Sequence, residues 1–103
     1  MNKELPEPPI PIGTYSTFYS SDNFIYTSGH VPITDKYIED YIGKVGEEIT
    51  VEKAYDASSL ICELTLATIL NNNIELSSIA PINVIGYINA IDTFENHADV
   101  LNG

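Results

Sequence analysis

The longest periodic stretch of the chain runs from Thr50 to about Leu70. Val51, Ala54, Ala57, Ile61, Leu64 and Thr68 recur at helical spacing, and Tyr55, Cys62, Leu66 and Ile69 widen the apolar stripe. A stripe that wide predicts a helix that packs on a sheet and is covered along one flank. Thr50 is the expected N-cap, and Glu52 suits the positive end of the helix dipole. Asn71-Asn72-Asn73 is the expected stop, because Asn tolerates left-handed backbone. Upstream, Tyr15 to Tyr19 and Phe24 to Ser28 read as two short strands, with Ser20-Ser21-Asp22-Asn23 as a turn of hairpin length. Gly29 ends the second strand. Residues 30–49 read as irregular, broken by Pro32, Gly43 and Gly46. After Pro81, the run Asn83 to Ile91 is β-branched and almost continuously apolar, as in a strand buried on both faces. Asp92 with Glu95 three residues on resembles a capping box, opening a second helix near Thr93 that runs to Gly103.

The expected order is therefore β-β-α-β-α, an α+β arrangement. Strand two, helix and strand three form a right-handed parallel crossover beside the hairpin, which makes the sheet mixed. Three strands and one helical face are thin, so the edges and outer face need cover. Pro6, Pro8, Pro9 and Pro11 set residues 1–12 apart as an extended arm and leave 13–103 as the folded domain.

Composition narrows the function classes. Fifteen Asp and Glu face only four Lys and no Arg, for a net charge of -11 over 103 residues. Lys3, Lys36, Lys44 and Lys53 are scattered and build no basic stripe for nucleic acid. The same deficit opposes an anionic membrane surface. Without Arg there is no planar fork for a carboxylate or phosphate, so a small anion would need backbone N–H groups, hydroxyls, Lys or another chain. Hydrophobic content of 44% separates the chain from acidic disordered tails. Cys62 stands alone, so no intrachain disulfide is possible. The first residues lack an apolar segment of signal length, and no apolar run approaches the ~18 residues of a membrane span. A cytoplasmic protein is the expectation.

Several short motifs stand in a telling order: Pro11-Ile12-Gly13-Thr14-Tyr15-Ser16, then Tyr26-Thr27-Ser28-Gly29-His30-Val31-Pro32, then Gly43-Lys44-Val45-Gly46 before Thr50-Val51-Glu52. Ile85-Gly86-Tyr87-Ile88-Asn89, Asp92-Thr93-Phe94 and Val100-Leu101-Asn102-Gly103 follow. In these the chain resembles the RidA family, also called the YjgF or endoribonuclease L-PSP family, of chorismate-mutase-like fold. It looks most like the YjgF/chorismate-mutase-like subgroup that carries an endoribonuclease label. The resemblance runs from Leu5 onward. It implies a homotrimer with ligand clefts between subunits, and hydrolysis of small reactive imines or enamines to a keto acid and ammonia. Other family members have been described as ribonucleases or translation inhibitors.

The departures from the family pattern are equally specific. That pattern continues beyond Gly103 into further strands, which carry an Arg that grips the substrate carboxylate and a Glu that positions water. The expectation is a domain whose C-terminal strands are missing, a truncated product or a partial gene model. His30 replaces the family's Gln after Ser-Gly, and Ala98 stands where deaminase members have Asn.

By resemblance, Tyr15, Ser28, Gly29 and His30 are the candidate substrate-binding residues, and no catalytic residue is assigned. Ser28 and His30, two apart on a strand, project to one face. An imidazole is a potential acid or base near neutrality; the plain alternative is a loop histidine beside a serine bonded to backbone. Tyr15 either presents its ring or hydroxyl to a ligand or fills an interface as a half-exposed strand aromatic. A Ser-His-acid triad lacks nucleophile-elbow spacing. Cys62 is expected to be a small buried hydrophobe rather than a nucleophile. Glu95, His97 and Asp99 do not share one helix face, and no metal or cofactor is expected. Glu39-Asp40 and Glu47-Glu48 read as solvated loop charges. Gly43-x-x-Gly46 lacks the Lys-Ser or Lys-Thr of a phosphate loop. The competing functions are a hydrolase of small imines, a non-catalytic binding or assembly module on the same fold, and an RNA role opposed by the charge.

Overall fold

The computed structural model describes residues 4–11, 13–34 and 40–103. Lys3, Ile12 of the first motif, Lys36 and Glu39 lie outside the described residues. The elements are β1 (Phe18–Ser21), β2 (Phe24–Thr27), α1 (Val51–Asn71), one 3-10 turn at Leu76–Ser78, and α2 (His97–Leu101). The architecture is α+β. The chain divides into two compact units: Met1–Val31 with Glu63–Ala80, and Pro32–Cys62 with Pro81–Gly103.

In the first unit, β1 and β2 pair antiparallel, with Tyr19 opposite Tyr26 and Ser21 opposite Phe24. A two-residue loop, Asp22-Asn23, joins them. Asp22 has a φ of 53°, the positive backbone angle that tight hairpin loops require. The Ser28 amide donates to the Thr17 carbonyl at 3.1 Å and extends the pairing by one step. Opposite residues share a face, so Tyr19, Phe24 and Tyr26 lie together, and all three are exposed. The first strand begins later than the aromatic pattern suggested. Gly13 to Tyr15 form a bend instead, closed by the Tyr15 amide on the Gly13 carbonyl at 3.0 Å. Residues 4–11 carry no regular secondary structure.

Helix α1 begins and ends as its local chemistry dictates. The Lys53 amide donates to the Thr50 hydroxyl at 3.1 Å, so Thr50 is the N-cap. At the other end Asn73 takes φ 63°, the left-handed stop, and the Asn72 side-chain amide donates to the Thr68 carbonyl at 2.8 Å. Ala54, Leu64, Ala67, Thr68 and Ile69 are buried. Cys62 is exposed, contrary to expectation. Ile69, seven residues on and within about 20° of it around the helix, is buried, so this side of α1 is covered at Ile69 but not at Cys62. Thr50→Ala is expected to lower unfolding free energy by about 1 kcal/mol, with Thr50→Ser close to the parent, in urea melts followed by circular dichroism.

In the second unit, the core gathers Val45, Ile49, Ala54 and Val100, with Ile88, Ala90 and Phe94 packed against it. The segment from Gly43 to Ile49 is a tight loop. Gly46 (φ 94°) donates to the Ile49 carbonyl at 2.8 Å, and both Glu48 carboxylate oxygens lie 3.4 Å from the Lys44 amide that points at them. Glu48 is thus a loop ligand rather than a purely solvated charge.

The third strand is the main correction. Residues 81–89 form no ladder; only Ala90 bridges, in parallel, to Val45. The Val45 amide donates to Asn89 O at 2.9 Å, and the Ile91 amide donates to Val45 O at 3.1 Å. Ile82, Val84 and Tyr87 are 78%, 83% and 91% exposed, so the run is not buried on both faces. A strand exists only where a neighbour supplies hydrogen bonds, and here that neighbour is the single residue Val45. Among the described residues the sheet is the antiparallel hairpin alone, so neither the mixed sheet nor the β-β-α-β-α order forms.

The second helix is also shorter than its sequence signal. Asp92 and Thr93 form a turn, closed by the Phe94 amide on the Ile91 carbonyl at 3.0 Å, and α2 starts only at His97. The turn delivers Phe94 to the core, so the Asp92–Glu95 capping box gives way to apolar packing.

Candidate functional site

The chain leaves β2 at Thr27, and the next three residues, in the first unit, carry no regular secondary structure. Ser28 is half-buried, Gly29 is exposed and His30 is half-buried. The His30 Nδ1 lies 2.9 Å from the Ser28 carbonyl, and its Nε2 lies 2.8 Å from the Thr68 hydroxyl. Thr68 is 2% exposed, and its hydroxyl also lies 3.1 Å from the Leu64 carbonyl one turn back along α1. Both ring nitrogens of His30 are therefore occupied within the protein.

Ser28 is less tightly engaged. Its hydroxyl approaches only the Gly29 carbonyl, at 3.5 Å, the outer limit of a hydrogen bond. Around Gly29 there is open space: a Cβ placed there would meet nothing within 4 Å. The segment after β2 thus presents a weakly held hydroxyl beside an unobstructed stretch of backbone.

Tyr15 lies in the bend before β1. Its ring lies over Gly13, where a Cβ would come within 3.4 Å of the ring carbons, and about half of the residue is exposed. The Thr17–Ser28 backbone bond places the chain two residues after Tyr15 beside Ser28. Ser28, Gly29 and His30 are neighbours by sequence, and the structure joins Thr68 to them through His30.

Thr68 was not singled out from sequence as a site residue. The available signal was a hydroxyl in an otherwise apolar stripe, at the position of a core methyl. Such a group needs a partner when buried; the Leu64 carbonyl one turn back is a local one, and His30, 38 residues away, is the one that spacing does not show.

The remaining candidates resolve simply. His97 stacks edge-on against Phe94, with ring centroids 5.0 Å apart. Among the described residues no group of three His, Cys, Asp or Glu side chains could hold a metal ion. Gly43 and Gly46 serve the loop around Val45, with φ of 143° and 94°. No helix among the described residues is long and apolar enough to cross a membrane.

No protein-family model matches the chain, and no curated protein matches it. Solved structures do. One is a "putative endoribonuclease" from Shewanella oneidensis MR-1, with TM-score 0.82 and 27% identity over 96% of this chain and 66% of that one. Another is a protein of unknown function from Agrobacterium tumefaciens, with TM-score 0.73 and 30% identity over 90% of this chain and 60% of that one. The chain therefore spans just under two thirds of the length of these structures, and it shares their α+β fold.

Proposed function

We propose that the chain is a RidA/YjgF-like domain that takes a small carbonyl-derived metabolite at the Ser28–Gly29–His30 segment. The observation that carries this reading is a weakly engaged Ser28 hydroxyl beside open backbone at Gly29, at the motif that supports the resemblance. The likeness to the Shewanella oneidensis protein supports the fold side of the reading. The implied chemistry is hydrolytic deamination of an imine or enamine. An enamine first takes a proton on carbon and gives one up from nitrogen to become the imine; water then adds to the C=N carbon, the resulting carbinolamine expels ammonia, and a keto acid leaves. Ser28 would orient the ligand, and Tyr15 would flank it. The exposed face of Tyr19, Phe24 and Tyr26 is consistent with assembly into a homotrimer whose subunits share the cleft.

A second reading is a non-catalytic binding or assembly module on the same fold. It is favoured by the absence of Arg from the chain and by the engagement of both His30 nitrogens. RNA cleavage is the least favoured: with a net charge of -11, the chain has few cations to meet phosphates.

Purified protein supplied with 2-aminoacrylate or 2-iminobutanoate separates these readings. Keto acid release above the spontaneous rate, reduced at least tenfold in Ser28→Ala, is expected of the hydrolase. A rate equal to background discards catalysis, and ligand-induced thermal stabilisation without turnover then selects the binding module.

A further inference from the structure

The groups that face the two ring nitrogens of His30 fix where its protons sit. The Ser28 carbonyl, 2.9 Å from Nδ1, can only accept, so Nδ1 carries the proton. In the neutral ring Nε2 is then a bare acceptor. The group facing it at 2.8 Å is the Thr68 hydroxyl, which engages it only by donating. That hydroxyl has one proton and two acceptors to choose between, Nε2 and the Leu64 carbonyl at 3.1 Å. In an α-helix the Leu64 carbonyl already receives the Thr68 amide, so turning the hydroxyl away leaves no acceptor orphaned. Withholding it from Nε2 would leave a half-buried ring nitrogen unpaired.

We infer that Thr68 is a positioning residue: its hydroxyl donates to His30 Nε2, holds the ring as the Nδ1–H tautomer, and clamps it onto the Ser28 carbonyl. The basic lone pair of His30 is thereby filled by the protein. His30 is an orienting strut between the β2 exit and α1, and the polar contact to a ligand falls to the Ser28 hydroxyl. The strut stands on geometry alone; only the role given to Ser28 rests on the proposed ligand site.

The test is nitrogen-detected NMR of ¹⁵N-histidine-labelled full chain, at a pH where the ring is neutral. The expected spectrum has a protonated Nδ1 and an unprotonated, hydrogen-bonded Nε2 for His30. Thr68→Val is expected to disturb this signature, and Thr68→Ser to restore it. A protonated Nε2, a fast average of tautomers in the parent, or no change in Thr68→Val overturns the inference. The parent spectrum alone decides the tautomer, should Thr68→Val fail to fold.

Addition of 2-oxobutanoate, the keto acid product of 2-iminobutanoate, then reports on the site separately. Shifts at the Ser28 and Gly29 amides with an unchanged Nε2 signal are expected. A ligand-induced change at Nε2 overturns the assignment of the contact to Ser28. No shift at any residue overturns the ligand site and leaves the strut standing.

Discussion

Leu64→Ala is expected to destabilise the fold by about 2–5 kcal/mol, the range for removing a fully buried leucine side chain. Leu64 is 2% exposed and is one of the two largest fully buried side chains, with Thr68 the other. Deleting its isobutyl group loses the transfer free energy and leaves a cavity, because neighbouring atoms relax only in part. Against a typical total of ~5–15 kcal/mol, such a loss takes a large share of the stability of a domain this size. The internal control is Leu70→Ala. Leu70 lies six residues on in the same helix but is 44% exposed, so the same change in helix propensity should cost well under half as much. Paired urea denaturations give both values. Equal losses at the two sites would show that α1 does not bury the face assigned to Leu64.

Gly46→Ala is the second large effect, and its cause is different. Gly46 has a φ of 94°, where an L-residue is strained by roughly 1–2 kcal/mol. A Cβ there would also sit 2.8 Å from Ile91 Cδ1 and 2.9 Å from Ile91 Cγ1, inside any real van der Waals contact. Overpacking of this kind typically adds about 1–3 kcal/mol. The expected total is ~2–5 kcal/mol, read again by urea denaturation. A double-mutant cycle with Ile91→Ala separates the two causes. Removing the Ile91 side chain should relieve the steric part and leave the backbone part, so the double variant should be less destabilised than the sum of the singles. Gly29→Ala is the comparison: nothing lies within 4 Å of its Cβ position, so stability should move by no more than ~0.5 kcal/mol. Strict additivity at Gly46 and Ile91 would remove the packing argument.

The two ends of α1 were legible in advance because they are local. Thr50 caps through a side chain three residues from its donor, and Asn73 stops the helix through its own φ. The hairpin was legible for the same reason, although β1 starts at Phe18 rather than Tyr15. Short-range chemistry does not say where pairing begins, and the bend at Gly13–Tyr15 consumes the residues that looked like strand.

What failed to be legible depends on partners remote in sequence. The run Asn83 to Ile91 has strand composition, yet composition supplies no hydrogen-bonding neighbour, and only the Val45 bridge near Ala90 forms. Cys62 belongs to the apolar stripe by spacing, but the cover that buries Ile69 on the same side of α1 does not reach it. The Asp92–Glu95 signature was present, and the demand of Phe94 for the core around Val45 and Val100 outweighed it.

The candidate site divides along the same line. The Ser28-Gly29-His30 motif was visible as a sequence of residues, and so was the lack of any Arg to grip an anion. Neither told how His30 would be held, because its Nε2 meets the Thr68 hydroxyl, 38 positions along the chain. The sequence alone determined the limits of α1, turn chemistry, charge and the identity of the residues after β2, since these depend on neighbours within a few positions. Only tertiary structure decided which apolar run pairs, which helix face is buried and how His30 is held, since each needs a partner that folding brings into reach.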